Sequence, residues 1–166
     1  MNKVLVIGNC GSGKTTFARA LAEKTGLPLV HLDRLYWHGN WEHLDKDAFD
    51  AALQQELEKP LWILDGNYGR TLPHRLSYCD TVFFLDMPKM TCLWGVIKRS
   101  LSSKGKSRQD MGGNCPEGLD RRLWELCRSV MAYNRKAQYA RLGEIKNIRV
   151  TALRSRKDVQ NFLAKM

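Results

Sequence analysis

Taken by its apolar positions alone, the chain alternates short unbroken runs with longer stretches of helical spacing. Val4, Leu5, Val6 and Ile7 run together and end in glycine, the pattern of a parallel strand covered on both faces. Behind them Phe17 and Leu21 stand one turn apart beside Ala18 and Ala22, and Gly26 then Pro28 supply a stop, which predicts a first helix. Leu29 to Leu32 reads as a second strand. Phe49, Ala52, Leu53 and Leu57 keep helical spacing behind Asp45 and Asp47, acids suited to a helix start, and Pro60 closes the segment. Leu61 to Leu64 and Thr81 to Leu85 are two more strand-like runs, each followed by an aspartate, Asp65 and Asp86.

Pro88 sits where a first helical turn tolerates it, and Met90, Leu93, Trp94, Ile97 and Leu101 mark one face of the helix that follows. Residues 102–118 carry glycine, serine, proline and cations without periodicity, the composition of a mobile loop or lid. Leu119, Leu123, Leu126, Val130 and Tyr133 then trace a long helix, with Trp124, Cys127 and Met131 widening an apolar stripe that reads as core. Ile148 to Leu153 makes a last strand. Ser155 with Asp158 resembles a capping box ahead of Val159, Phe162 and Leu163. Strands alternating with helices predict a three-layer α/β sandwich around a parallel sheet, and neither repeat nor linker divides residues 1–166 into more than a single domain.

At 166 residues the chain is long enough to bury a core without disulfides or a structural metal. Its apolar runs are too short for a signal or a membrane span. The five cysteines, Cys10, Cys79, Cys92, Cys115 and Cys127, are odd in number and lack CxxC spacing. A soluble protein of a reducing cytoplasm is the expectation. The formal charge of +10 is unevenly spread: residues 1–83 carry 9 Lys and Arg against 10 Asp and Glu, and residues 84–166 carry 18 against 7. Such a surplus attracts anions, either nucleotide phosphates under a basic lid or the backbone of a nucleic acid.

Gly8-Asn9-Cys10-Gly11-Ser12-Gly13-Lys14-Thr15 fits G-x-x-x-x-G-K-[ST], the P-loop or Walker A pattern, and it lies between a buried strand and an amphipathic helix as the mechanism requires. Glycines let successive N–H groups point inward as an anion nest, and the helix directs its positive end at the same place. Gly8, Gly11, Ser12, Gly13, Lys14, Thr15 and Thr16 are therefore placed on ATP phosphates, with Lys14 bridging the β- and γ-phosphates. The Thr15 hydroxyl is assigned to Mg2+. Asp65, at a strand's carboxyl end, is read as the second magnesium-side acid in preference to Asp86, which could equally cap the next helix. Asp33, a third strand-end acid, is a candidate to take a proton from an acceptor hydroxyl or orient it. Arg99 and Arg108 are the chosen lid arginines for charge developing on the phosphoryl oxygens, with Arg121 and Arg122 able to swing in. His31, His38, His43 and His74 show no metal spacing and read as polar surface.

The P-loop, Leu32-Asp33-Arg34-Leu35-Tyr36-Trp37, Leu64-Asp65-Gly66-Asn67-Tyr68-Gly69-Arg70-Thr71, Leu85-Asp86-Met87-Pro88 and Lys106-Ser107-Arg108-Gln109-Asp110-Met111 together resemble the adenylate-kinase-related proteins labelled DNA topology modulation proteins. The resemblance implies a five-stranded parallel sheet in the order 2-3-1-4-5, a lid after the fourth helix, and a nucleotide-kinase-like site. It also implies that Arg70 holds an acceptor phosphate and that Arg154 lies against the adenine. One extra residue between Asp65 and Arg70, compared with adenylate kinases, weakens the phosphate clamp, and the short segment from Trp37 to Trp41 leaves room for a nucleoside or polyol. The function expected is an ATP- and magnesium-dependent kinase of a small acceptor, a nucleoside or nucleoside monophosphate. The alternative is an ATP-binding nucleic-acid-associated regulator with ATPase activity, and against it no helix-turn-helix, zinc-finger or aromatic-basic platform is evident.

Overall fold

The apolar runs become the strands of one all-parallel sheet: β1 (Lys3–Gly8), β2 (Leu29–His31), β3 (Trp62–Asp65), β4 (Thr81–Leu85) and β5 (Arg149–Leu153). Their order is β2-β3-β1-β4-β5, the order expected. The computed structural model describes residues 1–103, 105, 110–116, 118–145 and 147–166. Register places Val6 of β1 beside Asp65 of β3 and Phe83 of β4, so the carboxyl ends of the two central strands finish level with the loop that leaves Gly8.

Alternation along β1 explains the layers. Leu5 and Ile7 point to one face, where Leu64, Val82 and Phe84 join Phe49, Leu53 and Leu57 of α3 (Lys46–Glu58). Val4 and Val6 point to the other, against Phe17 and Leu21 of α1 (Lys14–Thr25) with Phe162 of α8 (Arg156–Ala164) at the edge. A strand buried on both sides needs an unbroken apolar run, and each fully buried Leu, Ile or Phe contributes about 1.5–3 kcal/mol. Local signals end the helices as read: Gly26 closes α1 in the left-handed region, Asp45 accepts the Ala48 N–H at 2.8 Å, and Ser155 with Asp158 forms a complete capping box.

Three short helices were not legible from periodicity: α2 (Leu32–Tyr36), α4 (Leu72–Leu76) and α7 (Arg135–Gly143). The long pair α5 (Lys89–Ser102) and α6 (Arg121–Ala132) departs from the apolar pattern in a more useful way. On α5 the buried residues are Cys92, Val96 and Ser100, whereas Met90, Trp94 and Leu101 of the apolar stripe are more than half exposed. On α6 only Val130 is fully covered, and Trp124 and Met131 face out, correcting their assignment to the core. The cause is backbone proximity. A Cβ on Gly95 would sit 2.3 Å from the Gly11 carbonyl, and one on Gly11 would sit 2.1 Å from the Cys92 carbonyl. Alpha-5 therefore turns its small-residue face to the P-loop, because larger side chains would hold it away. No helix among the described residues is long and apolar enough to cross a membrane.

Candidate active site

The loop between β1 and α1 carries positive φ at Gly8 (148°), Gly11 (74°) and Gly13 (92°), conformations in which a side chain would be strained. Gly13 begins α1 without any side-chain cap, and the helix has no acid in its first turn, so its leading N–H groups remain available to an anion. Lys14 Nζ folds back to donate to the Asn9 carbonyl at 2.9 Å, and Asn9 Nδ2 donates to Val130 O at 3.0 Å, which ties the loop to α6. The Ser12 hydroxyl is buried without a hydrogen-bond partner among the described residues.

Beside the loop, Thr15 Oγ1 donates to Asp65 Oδ2 at 2.7 Å, joining α1 to the end of β3. His31 Nδ1 reaches the same oxygen at 3.1 Å from the end of β2. A carboxylate can only accept, so the proton lies on Nδ1. Asp65 is 5% exposed, yet its Oδ1 is buried with no hydrogen-bond partner among the described residues. A buried carboxylate oxygen left bare is costly, and a hydroxyl beside it completes the oxygen pair that a divalent cation takes. Among the described residues no cluster of three His, Cys, Asp or Glu could hold a metal by itself. Magnesium at a kinase site needs only one or two protein oxygens, the rest coming from phosphates and water, so Thr15 and Asp65 fit it. His31 corrects the reading of this histidine as polar surface: it is 8% exposed and pinned to the acid.

These groups open into a cleft of about 910 Å3 that spans the P-loop, the ends of β2 and β3, α5 and α6. Asp33 lies in it on α2, and the hydroxyl of the partly buried Tyr68 donates to its Oδ1 at 2.8 Å. Burial, followed by the Asp33 charge, pushes the Tyr68 phenol far above its ordinary range, so it stays a donor. Trp37 and Trp41 form the far wall with rings 5.4 Å apart and nearly perpendicular. Asn40 and Trp41 hold φ of 61° and 60°, a conformation bulky residues rarely adopt, where a 3-10 turn (Gly39–Trp41) folds the wall back. Lys98 and Arg99 of α5, Arg122 of α6, Arg19 of α1 and Arg156 of α8 also line the cleft.

Other candidates lie elsewhere. Arg70 is bidentate on Asp50 of α3, both N–O distances being 2.7 Å, in a separate shallow depression. Asp86 is nearly buried and accepts from Arg135 at 2.5 and 2.6 Å and from the Tyr139 hydroxyl at 2.8 Å; it does not cap α5, whose N-cap is Pro88. Arg154 is outside the cleft lining and pairs with the Tyr139 hydroxyl, which raises its guanidinium pKa. Arg121 pairs with Glu125 on the exposed side of α6. Arg108 lies outside the described residues.

One residue that shapes the loop after Asp65 carried no local signal. Arg75 of α4 is fully buried, and its guanidinium donates to Gly66 O at 3.1 Å and Tyr68 O at 2.7 Å, holding the loop that follows Asp65. Burial lowers its pKa to about 10. Residues 114–116 are also anchored to the segment from His38 to Trp41: Asn40 N–H donates to Asn114 O at 2.8 Å, Trp41 Nε1 to Pro116 O at 3.2 Å, and Cys115 Sγ lies 2.9 Å from His38 O. Of the expected set, the structure brings together the P-loop, Thr15, Asp65, Asp33 and Arg99, and leaves Arg70 and Arg154 apart.

A protein-family model described as ATPase family associated with various cellular activities (AAA) matches residues 4–65, from β1 through the acid at the end of β3. No curated protein matches the sequence. Among solved structures, shikimate kinase from Acinetobacter baumannii in complex with shikimate superposes with a TM-score of 0.62 at 16% identity, over 99% of this chain and 90% of that one. An unliganded sugar kinase from a Janibacter species gives a TM-score of 0.51 at 19% identity, over 98% and 90%. The fold is that of the small P-loop kinases.

Proposed function

We propose that the chain is an ATP- and magnesium-dependent phosphotransferase that passes the γ-phosphoryl group to a hydroxyl of a small acceptor. The observation that carries this reading is the meeting of Thr15 Oγ1 and the half-bare Asp65 carboxylate beneath an uncapped helix start, within the cleft that also holds Asp33. Solved structures of like fold are named for kinases of small molecules, which supports it. The resemblance to adenylate-kinase-related DNA topology modulation proteins belongs to the same proposal.

Magnesium held by Thr15 and Asp65 would neutralise charge across the β- and γ-phosphates. The loop amides and Lys14, released from the Asn9 carbonyl, bind the triphosphate. Asp33 orients the acceptor hydroxyl and takes its proton as oxygen bonds to the γ-phosphorus; the bond from that phosphorus to the β–γ bridging oxygen breaks and ADP departs. Arg99, which lines the cleft from α5, supplies a guanidinium to the charge developing on the phosphoryl oxygens. His31 keeps Asp65 pointed at the metal position.

Calorimetry with a magnesium-bound ATP analogue, followed by ADP release against nucleosides, nucleoside monophosphates, sugars and polyols, tests the proposal. Lys14→Ala is expected to abolish turnover with circular dichroism unchanged. Phosphate transfer surviving in that variant, or release stimulated by DNA and by no small molecule, would overturn it.

A further inference from the structure

We propose that the chain pairs with a second copy of itself through the outer faces of α5 and α6, in a twofold contact centred on Trp94 and Trp124. The two helices lie side by side and antiparallel: Lys89 Nζ at the start of α5 donates to Met131 O at the end of α6, and Val130 packs with Cys92 and Val96. Their inner sides are taken up by each other and by the P-loop, whose Gly11 carbonyl leaves no room for a Cβ on Gly95. Met90, Trp94 and Leu101 recur at helical spacing on the outer side of α5, and Trp124 and Met131 stand two turns apart on one side of α6. The antiparallel pairing sets Met131 at the Met90 end and Leu119, just ahead of α6, at the Leu101 end. Neither tryptophan lines the cleft, so this face is separate from the candidate active site and the contact is independent of the phosphotransferase reading.

Area decides that the face is meant to be covered. Trp94 and Trp124 are 64% and 66% exposed, and Met90, Leu101 and Leu119 are more than half bare. Two indoles exposed to that degree already offer roughly 250 Å2 of apolar surface. With the other four side chains the patch exceeds the roughly 300–600 Å2 of the largest patch on a typical monomer, and it approaches the ~800 Å2 that each partner gives to a standard interface. Charge decides the occupant. A twofold contact lays a surface on itself, so its centre must be poor in charge, and between Lys89 and Lys98 α5 carries no charged residue. An anionic membrane or an acidic partner calls instead for cations ringing the apolar side chains. Here Lys98, Arg99 and Arg122 line the cleft, and Arg121 is paired with Glu125. Arg128, exposed one turn from Trp124, stands at the rim, where a guanidinium can lie over an indole of the facing copy.

Sedimentation velocity on the full chain over about 1–100 µM tests the contact, and a monomer–dimer equilibrium with Kd inside that range is expected. Trp94→Ser and Trp124→Ser, one on each helix, are each expected to raise the dimer Kd by about thirtyfold or more, since buried tryptophans carry much of the energy of such contacts. Both side chains are exposed in the single chain, so circular dichroism spectra should match the parent's. Leu61→Ser alters an exposed leucine ahead of the amino end of β3 and should leave the Kd within about twofold. Three results would each overturn the proposal: a chain that stays monomeric throughout, a dimer that either tryptophan variant leaves intact, or a monomer that sediments with phosphatidylserine vesicles through the same two tryptophans, which would make this a lipid-binding face.

Discussion

Arg70 and Arg75 are close neighbours in sequence and meet opposite fates. Arg70 lies exposed on Asp50, where solvent weakens the pair; Arg75 is sealed beneath the loop after Asp65 and donates to two of its carbonyls, Gly66 O and Tyr68 O, the second shared with the Thr71 hydroxyl. Arg75→Ala removes both donors and leaves a cavity, so unfolding free energy measured in urea should fall by roughly 3 kcal/mol. The same change should lower magnesium nucleotide affinity, because the loop positions the Asp65 carboxylate. Arg70→Ala should leave the urea midpoint essentially where it is. Nothing in the local sequence separates the two arginines. Their partners sit on α3 and within a loop whose path is fixed by tertiary contacts. Tyr68 and His31 share this property: His31 read as polar surface and Tyr68 carried no reading of its own, because their aim at Asp33 and Asp65 follows only once β2 and β3 are neighbours.

At the scale of elements, α5 shows why an apolar stripe need not be the buried face. Burial of Met90, Trp94 and Leu101 would gain more apolar area than burial of Cys92 and Ser100, yet the close face is chosen because the P-loop must touch the helix backbone. Gly95→Ala tests this. In an ordinary helix the change stabilises, but here the new methyl meets the Gly11 carbonyl at 2.3 Å. Stability should drop by about 1–3 kcal/mol, and the loop displacement should weaken nucleotide binding at least tenfold by calorimetry. Gly143→Ala, which meets nothing within 4 Å, should instead be neutral or stabilise by about 0.5 kcal/mol. The caps, by contrast, were readable: Asp45, Gly26 and the Ser155–Asp158 pair act within a few residues of themselves, so no distant contact is needed to interpret them.

For the molecule as a whole, residues 111–116 lie against the segment carrying Trp37 and Trp41. A Cβ on Gly112 would fall 1.8 Å from the Trp37 carbonyl, and one on Gly113 2.5 Å from Gly39 N. Residues 111–116 therefore touch the segment carrying Trp37 and Trp41 through bare backbone. Gly112→Ala should loosen this contact, lower kcat with acceptor about tenfold and raise the share of ATP lost to water, as read by ADP release without acceptor. The thermal midpoint should fall as well, since the new methyl meets the Trp37 and Arg34 carbonyls at 1.8 and 2.7 Å. The basic surplus of residues 84–166 finds part of its explanation in the same region, where Lys98, Arg99, Arg122 and Arg156 surround the cleft.

By itself the sequence determined the strands, most of the longer helices, and the phosphate cradle. Each depends on contiguous residues, through an unbroken apolar run, a cap or a glycine at positive φ. Tertiary structure alone decided which arginine met which partner, which face of α5 turned inward, and which acids share the cleft. Those outcomes depend on residues far apart in the chain, and a guanidinium has the same local signature whether it ends on a carboxylate, a carbonyl or a phosphate.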